Sequence, residues 1–249
     1  MNYVNKQAAR VALITGSGRR IGAVIAETLH HAGFSVAIHC HQSRDEADVL
    51  CNTFNNRRSN SARVFVADLA QKLENQALIT HVIDWAGQMD LLVNNASIFT
   101  PTPLDVSNEV RWDGLFLINV QAPFWLSLAA RPYLAIQKGA IINITDIHAE
   151  KPLKGYAEYC QTKAALLMQT KALACEFAPD IRVNAVAPGA IAWPEQENAL
   201  SVSNQEKIIA KTPLKRHGEP IFIAQAVLAL AENRFITGQT LRVDGGRLI

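Results

Sequence analysis

Tyr159 and Lys163 stand four residues apart in the run Tyr159-Cys160-Gln161-Thr162-Lys163. In a helix that spacing puts the phenol and the ammonium on one face. A cation beside a phenol favours the phenolate and lowers its pKa, so the phenol can give or take a proton near neutral pH. A second candidate site lies near the start of the chain. The apolar run Val11-Ala12-Leu13-Ile14-Thr15 enters Gly16, and Ser17-Gly18-Arg19-Arg20-Ile21-Gly22 then opens a helix. A glycine-rich turn between a strand and a helix lets backbone approach a pyrophosphate, and the N–H groups at the helix start point at the anion.

The next strand ends in His39-Cys40-His41-Gln42-Ser43-Arg44. A carboxylate there would bind the ribose hydroxyls of NAD and repel a 2′-phosphate. None is present. His41, Gln42 and Ser43, with Arg19 and Arg20 in the first turn, favour the extra phosphate of NADP(H). Asp68, followed by Leu69, ends a third strand, where its carboxylate can accept from an adenine amino group or cap the following helix.

These groups need a scaffold. Short β-branched runs at Val11–Thr15, Ser35–His39, Arg63–Val66, Leu91–Asn94, Ala140–Thr145, Arg182–Val186 and Thr240–Val243 alternate with amphipathic stretches. Those stretches are Ile21–Ala32, Arg44–Asn55, Gln71–Trp85, Trp112–Ala135, Tyr156–Ala178 and Pro220–Ala231. The alternation predicts an α/β fold, a doubly wound parallel sheet with helices on both faces, in one domain over residues 1–249. Ala190–Gly218 is the least regular segment and carries Trp193-Pro194. Its place after a strand's carboxyl end suits a substrate loop, with Trp193 as a candidate contact, or a plain surface excursion.

Composition narrows the function classes. The 249 residues are 49% hydrophobic with a formal net charge of +2, so no nucleic-acid partner is implied. Cys40, Cys51, Cys160 and Cys175 form no CxxC spacing, and the seven histidines include no HExxH, so no metal site is expected. The cysteines read as free thiols in a reducing compartment. No apolar run is long enough to span a bilayer. The expectation is a soluble, cytoplasmic protein with no membrane partner.

Thr15-Gly16 with Gly22, Asn94-Asn95-Ala96, Asn119, Tyr159/Lys163 and Pro188-Gly189 occur in the order found in the short-chain dehydrogenase/reductases. The resemblance runs from about Arg10 to Gly246. It implies the strand order 3-2-1-4-5-6-7, NADP(H) held around Gly16, Ile21, Asn95, Ala96, Pro188 and Gly189, and Tyr159 as proton donor. It also implies that Lys163 binds the nicotinamide ribose, that Asn119 holds a water in a proton relay, and that the protein is a homotetramer through the helices at Trp112–Ala135 and Tyr156–Ala178.

Two departures narrow the resemblance. The family usually has glycine where this chain has Arg20, and serine 13 residues before the tyrosine, where this chain has Asp146. Both substitutions resemble those of the pteridine reductases. So do His39–Ser43 and Asn94-Asn95-Ala96-Ser97-Ile98-Phe99 followed by Pro101-Thr102-Pro103-Leu104. That subfamily implies a pterin sandwiched between nicotinamide and Phe99, with Ser97 and Arg20 contacting pterin or cofactor phosphates and Asp146 acting as an acid. Structural readings stand beside these: Phe99 as a loop anchor, Asp146 as a cap after the fifth strand, Arg20 serving the phosphates alone. The function implied is NADPH-dependent reduction of a dihydropterin to the tetrahydropterin, with oxidised pterin and dihydrofolate left open as further substrates. The alternatives are a carbonyl reductase of the same fold, which Asp146 disfavours, and an NADP-binding redox sensor, which has no need of Asn119, Tyr159 and Lys163. The role of Arg247 stays open.

Overall fold

The computed structural model describes residues 9–102, 109–193 and 201–249. Pro103, Leu104 and Pro194, which figure in the sequence motifs, lie outside the described residues. The strands are β1 (Val11–Ile14), β2 (Ser35–Cys40), β3 (Ala62–Val66), β4 (Leu91–Asn94), β5 (Ala140–Ile144), β6 (Arg182–Pro188) and β7 (Thr240–Val243). The helices are α1 (Arg20–His31), α2 (Arg44–Arg57), α3 (Lys72–Ala86), α4 (Glu109–Phe116), α5 (Ala122–Gln137), α6 (Ala157–Phe177), α7 (Val202–Ala210) and α8 (Pro220–Glu232). The seven strands form one parallel sheet in the order β3-β2-β1-β4-β5-β6-β7, as the resemblance implies. The register places Leu13 beside Ala37 on one side and Leu92 on the other.

Because successive strand side chains point to opposite faces, the inner strands feed two cores. Ala12, Ile14, Val36, Ile38 and Val93 pack with Ile25 and Leu29 of α1 and Ile223 and Val227 of α8. Val11, Leu13, Leu92, Ile141 and Val183 pack on the other face with Leu78 and Val82 of α3, Leu126 and Leu134 of α5 and Leu173 of α6. All of these are buried, which is why the strands read as continuous apolar runs. Truncating one, such as Leu29 to Ala, costs about 2–5 kcal/mol. Parallel pairing puts all seven carboxyl ends at one edge, and β1 and β4 are neighbours there. Connections leave in opposite directions at that point, which opens the crevice where such sheets bind ligands.

Two elements differ from the sequence expectation. The stretch expected as one helix from Trp112 to Ala135 starts at Glu109, and a π-helical turn over Leu117–Gln121 separates α4 from α5. Pro123 has no N–H to give the carbonyl four residues back, that of Asn119, and the Ala122 N–H instead reaches Leu117 O. The Ala190–Gly218 segment also contains a regular helix, α7, capped by Ser201, whose side chain accepts from the Asn204 N–H. None of its residues is buried, so it left no apolar stripe to read.

Among the described residues no helix is long and apolar enough to cross a membrane. No group of three or more His, Cys, Asp or Glu residues among them is placed to hold a metal ion.

Candidate active site

The nucleotide turn is built by close packing. Gly16 has φ +62°, and a Cβ on it would lie 3.1 Å from the Ala96 Cα. A Cβ on Gly22 would lie 2.6 Å from Asn95 Nδ2. The turn is therefore small enough for backbone to line a phosphate site. Thr15 and Asn95 bind β1 to β4: Thr15 Oγ1 accepts from the N–H groups of Asn95 (2.9 Å) and Ala96 (3.0 Å), and Asn95 Nδ2 donates to Thr15 O at 2.8 Å.

His39, not singled out as a ligand in the sequence, supports the turn from below. The Gly16 N–H donates to His39 Nδ1 at 3.0 Å, so Nε2 carries the proton and faces Ala67 O at 3.1 Å. Burial pulls the His39 pKa down to about 4. No sequence pattern distinguishes such a histidine from an ordinary strand residue.

A cleft of about 930 Å³ runs from this turn along the carboxyl edge of the sheet. Gly16, Arg19, Arg20, Ile21, His41, Gln42, Ser43, Asp68, Leu69, Asn95, Ala96, Ser97, Pro188 and Gly189 all line it, as do Phe99, Asp146, Tyr159, Lys163 and Trp193. Its polar end, at the α1 N-terminus, fits a dinucleotide phosphate: donors and two arginines stand at a positive helix end. Asp68 Oδ1 accepts from the Ala70 N–H at 3.0 Å, four residues before α3 begins at Lys72. Arg44 is turned away into an ion pair with Asp48 at 2.9 Å.

Arg20 lines the cleft beside Arg19 at the start of α1. Its backbone is left-handed, φ +54°, which explains why glycine suits the position and which costs a non-glycine residue about 1–2 kcal/mol. Its Nη2 donates to the Trp193 carbonyl at 2.9 Å. Asn119 lies buried in the π turn with its side chain fully engaged. Nδ2 donates to Ile98 O and Thr162 Oγ1, both at 3.0 Å, and Oδ1 accepts from the Ile98 N–H (2.8 Å) and Ser97 Oγ (3.1 Å). From the π turn it pins the Ser97-Ile98 loop to α6.

At the other end of the cleft, Tyr159 Oη donates to Asp146 Oδ2 at 2.8 Å, while Asp146 Oδ1 accepts from the His148 N–H at 2.8 Å. Asp146 thus caps the short 3-10 turn Ile147–Ala149 and still faces the phenol. Lys163 Nζ donates to Ile144 O at 3.0 Å and lies 5.7 Å from the Tyr159 ring centroid. The expected lowering of the Tyr159 pKa by Lys163 is overturned. Burial and then the Asp146 carboxylate raise it well above the usual tyrosine value. Lys163 is itself desolvated, which brings its pKa down to about 8.

Three further residues shape this end. Tyr156 stacks on Phe99, centroids 4.5 Å apart and planes 15° from parallel, and Phe99 meets Tyr159 edge-on at 4.8 Å. Tyr156 was legible in principle, being one helical turn before Tyr159. Glu158 makes a bidentate pair with Arg111 (2.6 and 2.9 Å), fastening the start of α6 to α4. Arg247, left open in the sequence, also lines the cleft.

A doubly wound sheet with a phosphate-binding turn at one end of its cleft and a Tyr–Lys pair at the other defines a dinucleotide-dependent oxidoreductase. Comparison with known proteins agrees. Residues 16–247 match a family described as enoyl-(acyl carrier protein) reductase. The chain is similar to the 3-oxoacyl-(acyl-carrier-protein) reductase FabG of Staphylococcus epidermidis, 37% identical over 94% of this chain and 97% of that one. It is similar to pteridine reductase 1 of Leishmania tarentolae, 35% identical over 96% of each. The crystal structure of a blue fluorescent protein from a metagenomic library, in complex with NADPH, superimposes with a TM-score of 0.89 at 32% identity, covering 96% of this chain and 97% of that one. The chain belongs to the short-chain dehydrogenase/reductase family, and its cofactor is NAD(P)H.

Proposed function

We propose that the chain is an NADPH-dependent pteridine reductase that delivers hydride to a dihydropterin to give the tetrahydropterin. The observation that carries this reading is Asp146. A ketone reductase gains from a neutral hydroxyl beside its tyrosine, whereas a fixed carboxylate opposes the oxyanion that forms on a carbonyl. A carboxyl group next to the phenol instead suits protonation of a ring nitrogen, or orientation of a ring NH. Phe99, with Tyr156 behind it, offers an aromatic surface for a flat heterocycle.

The bound cofactor supplies the hydride. In this reading the chain's residues do the remaining work. Gly16, Arg19, Ile21, His41, Gln42 and Ser43 hold the phosphate end. Asp68 and Leu69 flank the adenine. Asn95, Ala96, Pro188 and Gly189 line the path to the nicotinamide. Lys163, one turn along α6 from Tyr159, binds the nicotinamide ribose, and Tyr159 protonates the substrate. Ser97 and Trp193 border the substrate, Arg20 contributes at the boundary of the two sites, and Asn119 holds the Ser97 loop in place. Assembly as a homotetramer through α5 and α6 is supported by Leu128 and Met168, which are 37% and 62% exposed on those helices.

A second reading is a 3-oxoacyl reductase, favoured by the 37% identity to the staphylococcal enzyme. NADPH oxidation with dihydrobiopterin, dihydromonapterin and acetoacetyl-coenzyme A decides between them. Turnover of a dihydropterin with little of the thioester is expected; the reverse would overturn the pterin reading.

A further inference from the structure

Three cations lie where β7 and the turn after it meet the segment that follows Ile147–Ala149, and two of them are committed. Arg242 pairs with Glu150 at 2.5 and 3.3 Å, and Lys151 Nζ donates to the Arg247 carbonyl at 2.8 Å. Arg247 is the third. It lines the cleft half-buried, and its guanidinium donates to no acceptor among the described residues. Burial pushes its pKa down, while the carboxylates of Asp146 and then Asp244 act against that. The cation is thus near Asp146, at the Tyr159 end of the cleft, without forming an ion pair with it.

The backbone on both sides of Arg247 is fixed. The Asp244 carboxylate accepts from the N–H groups of Gly246 (2.9 Å) and Leu248 (2.8 Å), and the Leu214 N–H donates to Gly245 O at 3.1 Å. Gly245 has φ +66°, and a Cβ on it would lie 2.7 Å from Thr212 Cγ2. A turn packed this closely delivers the Arg247 side chain to one place. Half-buried N–H donors that have lost water and found no acceptor carry a cost, which a ligand with acceptor oxygens removes. The planar guanidinium matches the paired oxygens of a carboxylate or a phosphate. The Asp146 carboxylate alone would repel such a ligand, and Arg247 is the charge placed to offset it.

We propose that Arg247 is a substrate-recognition residue: its guanidinium takes an oxoanion, a carboxylate or a phosphate, that the substrate carries outside its reacting ring or carbonyl. This deepens the proposed function and rests on it only for the source of the anion. On a dihydropterin the anion is a side-chain carboxylate, as dihydrofolate carries. On a 3-oxoacyl thioester it is a phosphate of the thiol carrier.

Matched pairs of substrates test it, each with one anionic and one neutral member. Dihydrofolate is set against dihydrobiopterin, and acetoacetyl-coenzyme A against the same acyl group on N-acetylcysteamine. The readout is the ratio of kcat/KM for the anionic member to that for the neutral one. Arg247→Gln should lower the ratio by about tenfold or more, the scale of a lost hydrogen bond to a charged group. Arg247→Lys keeps the charge without the fork and should fall between the two. An unchanged fluorescence titration with NADPH shows that each variant keeps its fold. A collapsed ratio in the pterin pair upholds both the subsite and the pterin reading. A collapsed ratio in the thioester pair, with no dihydropterin turned over, upholds the subsite and overturns the pterin reading. The subsite itself is overturned by an unchanged ratio in Arg247→Gln, by equal loss of both members, or by a wild type that turns over no anionic member.

Discussion

The phenol of Tyr159 donates to the Asp146 carboxylate at 2.8 Å, so it is held by a negative group and not by a hydroxyl. The carboxylate raises the Tyr159 pKa, and it also raises that of Lys163 against the larger, opposing effect of burial. Tyr159 can donate only while protonated, and Lys163 is cationic only below about pH 8. Activity should therefore fall on the alkaline side from about pH 8 as Lys163 loses its proton. Replacing Asp146 by Asn removes a charge that raises both values. The alkaline limb of the kcat/KM profile should move to lower pH in Asp146→Asn. A limb that stays put, or moves up, would show that Asp146 does not control these protons.

Tyr159→Phe keeps the ring against Phe99 and removes only the hydroxyl. Turnover should drop by roughly 10²-fold or more, the usual scale for losing a general acid. Cofactor affinity, read by NADPH fluorescence, should change little. Near-wild-type turnover would mean that another group protonates the substrate.

Much of this was legible in the sequence, and what was not has physical reasons. All seven strands appear within about two residues of where the sequence places them; the inner ones, buried on both faces, leave unbroken apolar segments, while β3 and β7 at the sheet edges are partly exposed. Tyr159, Lys163, Asp146 and the Gly16 turn do converge on one cleft. The π turn at Leu117–Gln121 was missed because one extra residue in a turn barely alters helical periodicity. The Tyr159 pKa was misjudged in direction. Spacing shows that Lys163 is one turn away, but not that its ammonium is committed to Ile144 O while a carboxylate faces the phenol. The left-handed backbone at Arg20 is likewise hidden, since an arginine does not announce a glycine's conformation.

The end of β2 makes a prediction about cofactor choice. His41 and Gln42 are exposed there, Ser43 begins the turn into α2, and Arg19 lines the same cleft, although Arg44 is occupied by Asp48. NADPH should be preferred over NADH by roughly 2 kcal/mol, the scale of a charge-assisted hydrogen bond to one phosphate. That is about thirtyfold in kcat/KM. Equal efficiency with the two cofactors would remove the 2′-phosphate site assigned to these residues.

His39 gives a stability prediction. Its folded pKa of about 4 lies below the unfolded value of about 6.5, so the fold holds it neutral where the unfolded chain would be protonated. The stability it contributes is present above pH 6.5 and is lost as pH falls toward 4, up to roughly 3 kcal/mol. A protonated ring also cannot accept from the Gly16 N–H. His39→Asn cannot titrate, so its Tm should fall less steeply between pH 6.5 and 4 than that of the wild type. Parallel curves for the two proteins would show that His39 stays neutral in both states or is protonated in both.

The pterin assignment rests most heavily on Asp146, and two reductions can separate its roles. A fully oxidised pterin needs two hydride transfers, each accompanied by protonation of a different ring nitrogen. Tyr159 is fixed on α6 and packed edge-on against Phe99, so one phenol cannot easily serve two nitrogens on opposite sides of a ring. Asp146, 2.8 Å from the phenol and lining the same cleft, is the other group placed to carry a proton. Asp146→Ser restores the hydroxyl usual in the family and removes the second acid. Reduction of the oxidised pterin should then fall by roughly 10²-fold, with reduction of the dihydropterin affected far less. Both rates are measured on the same purified variant with NADPH, and retained cofactor binding shows that the fold is intact. Equal retention of both activities would leave Asp146 as the cap of the Ile147–Ala149 turn. Equal loss would make it a group that orients substrate or tunes Tyr159, and not a separate acid.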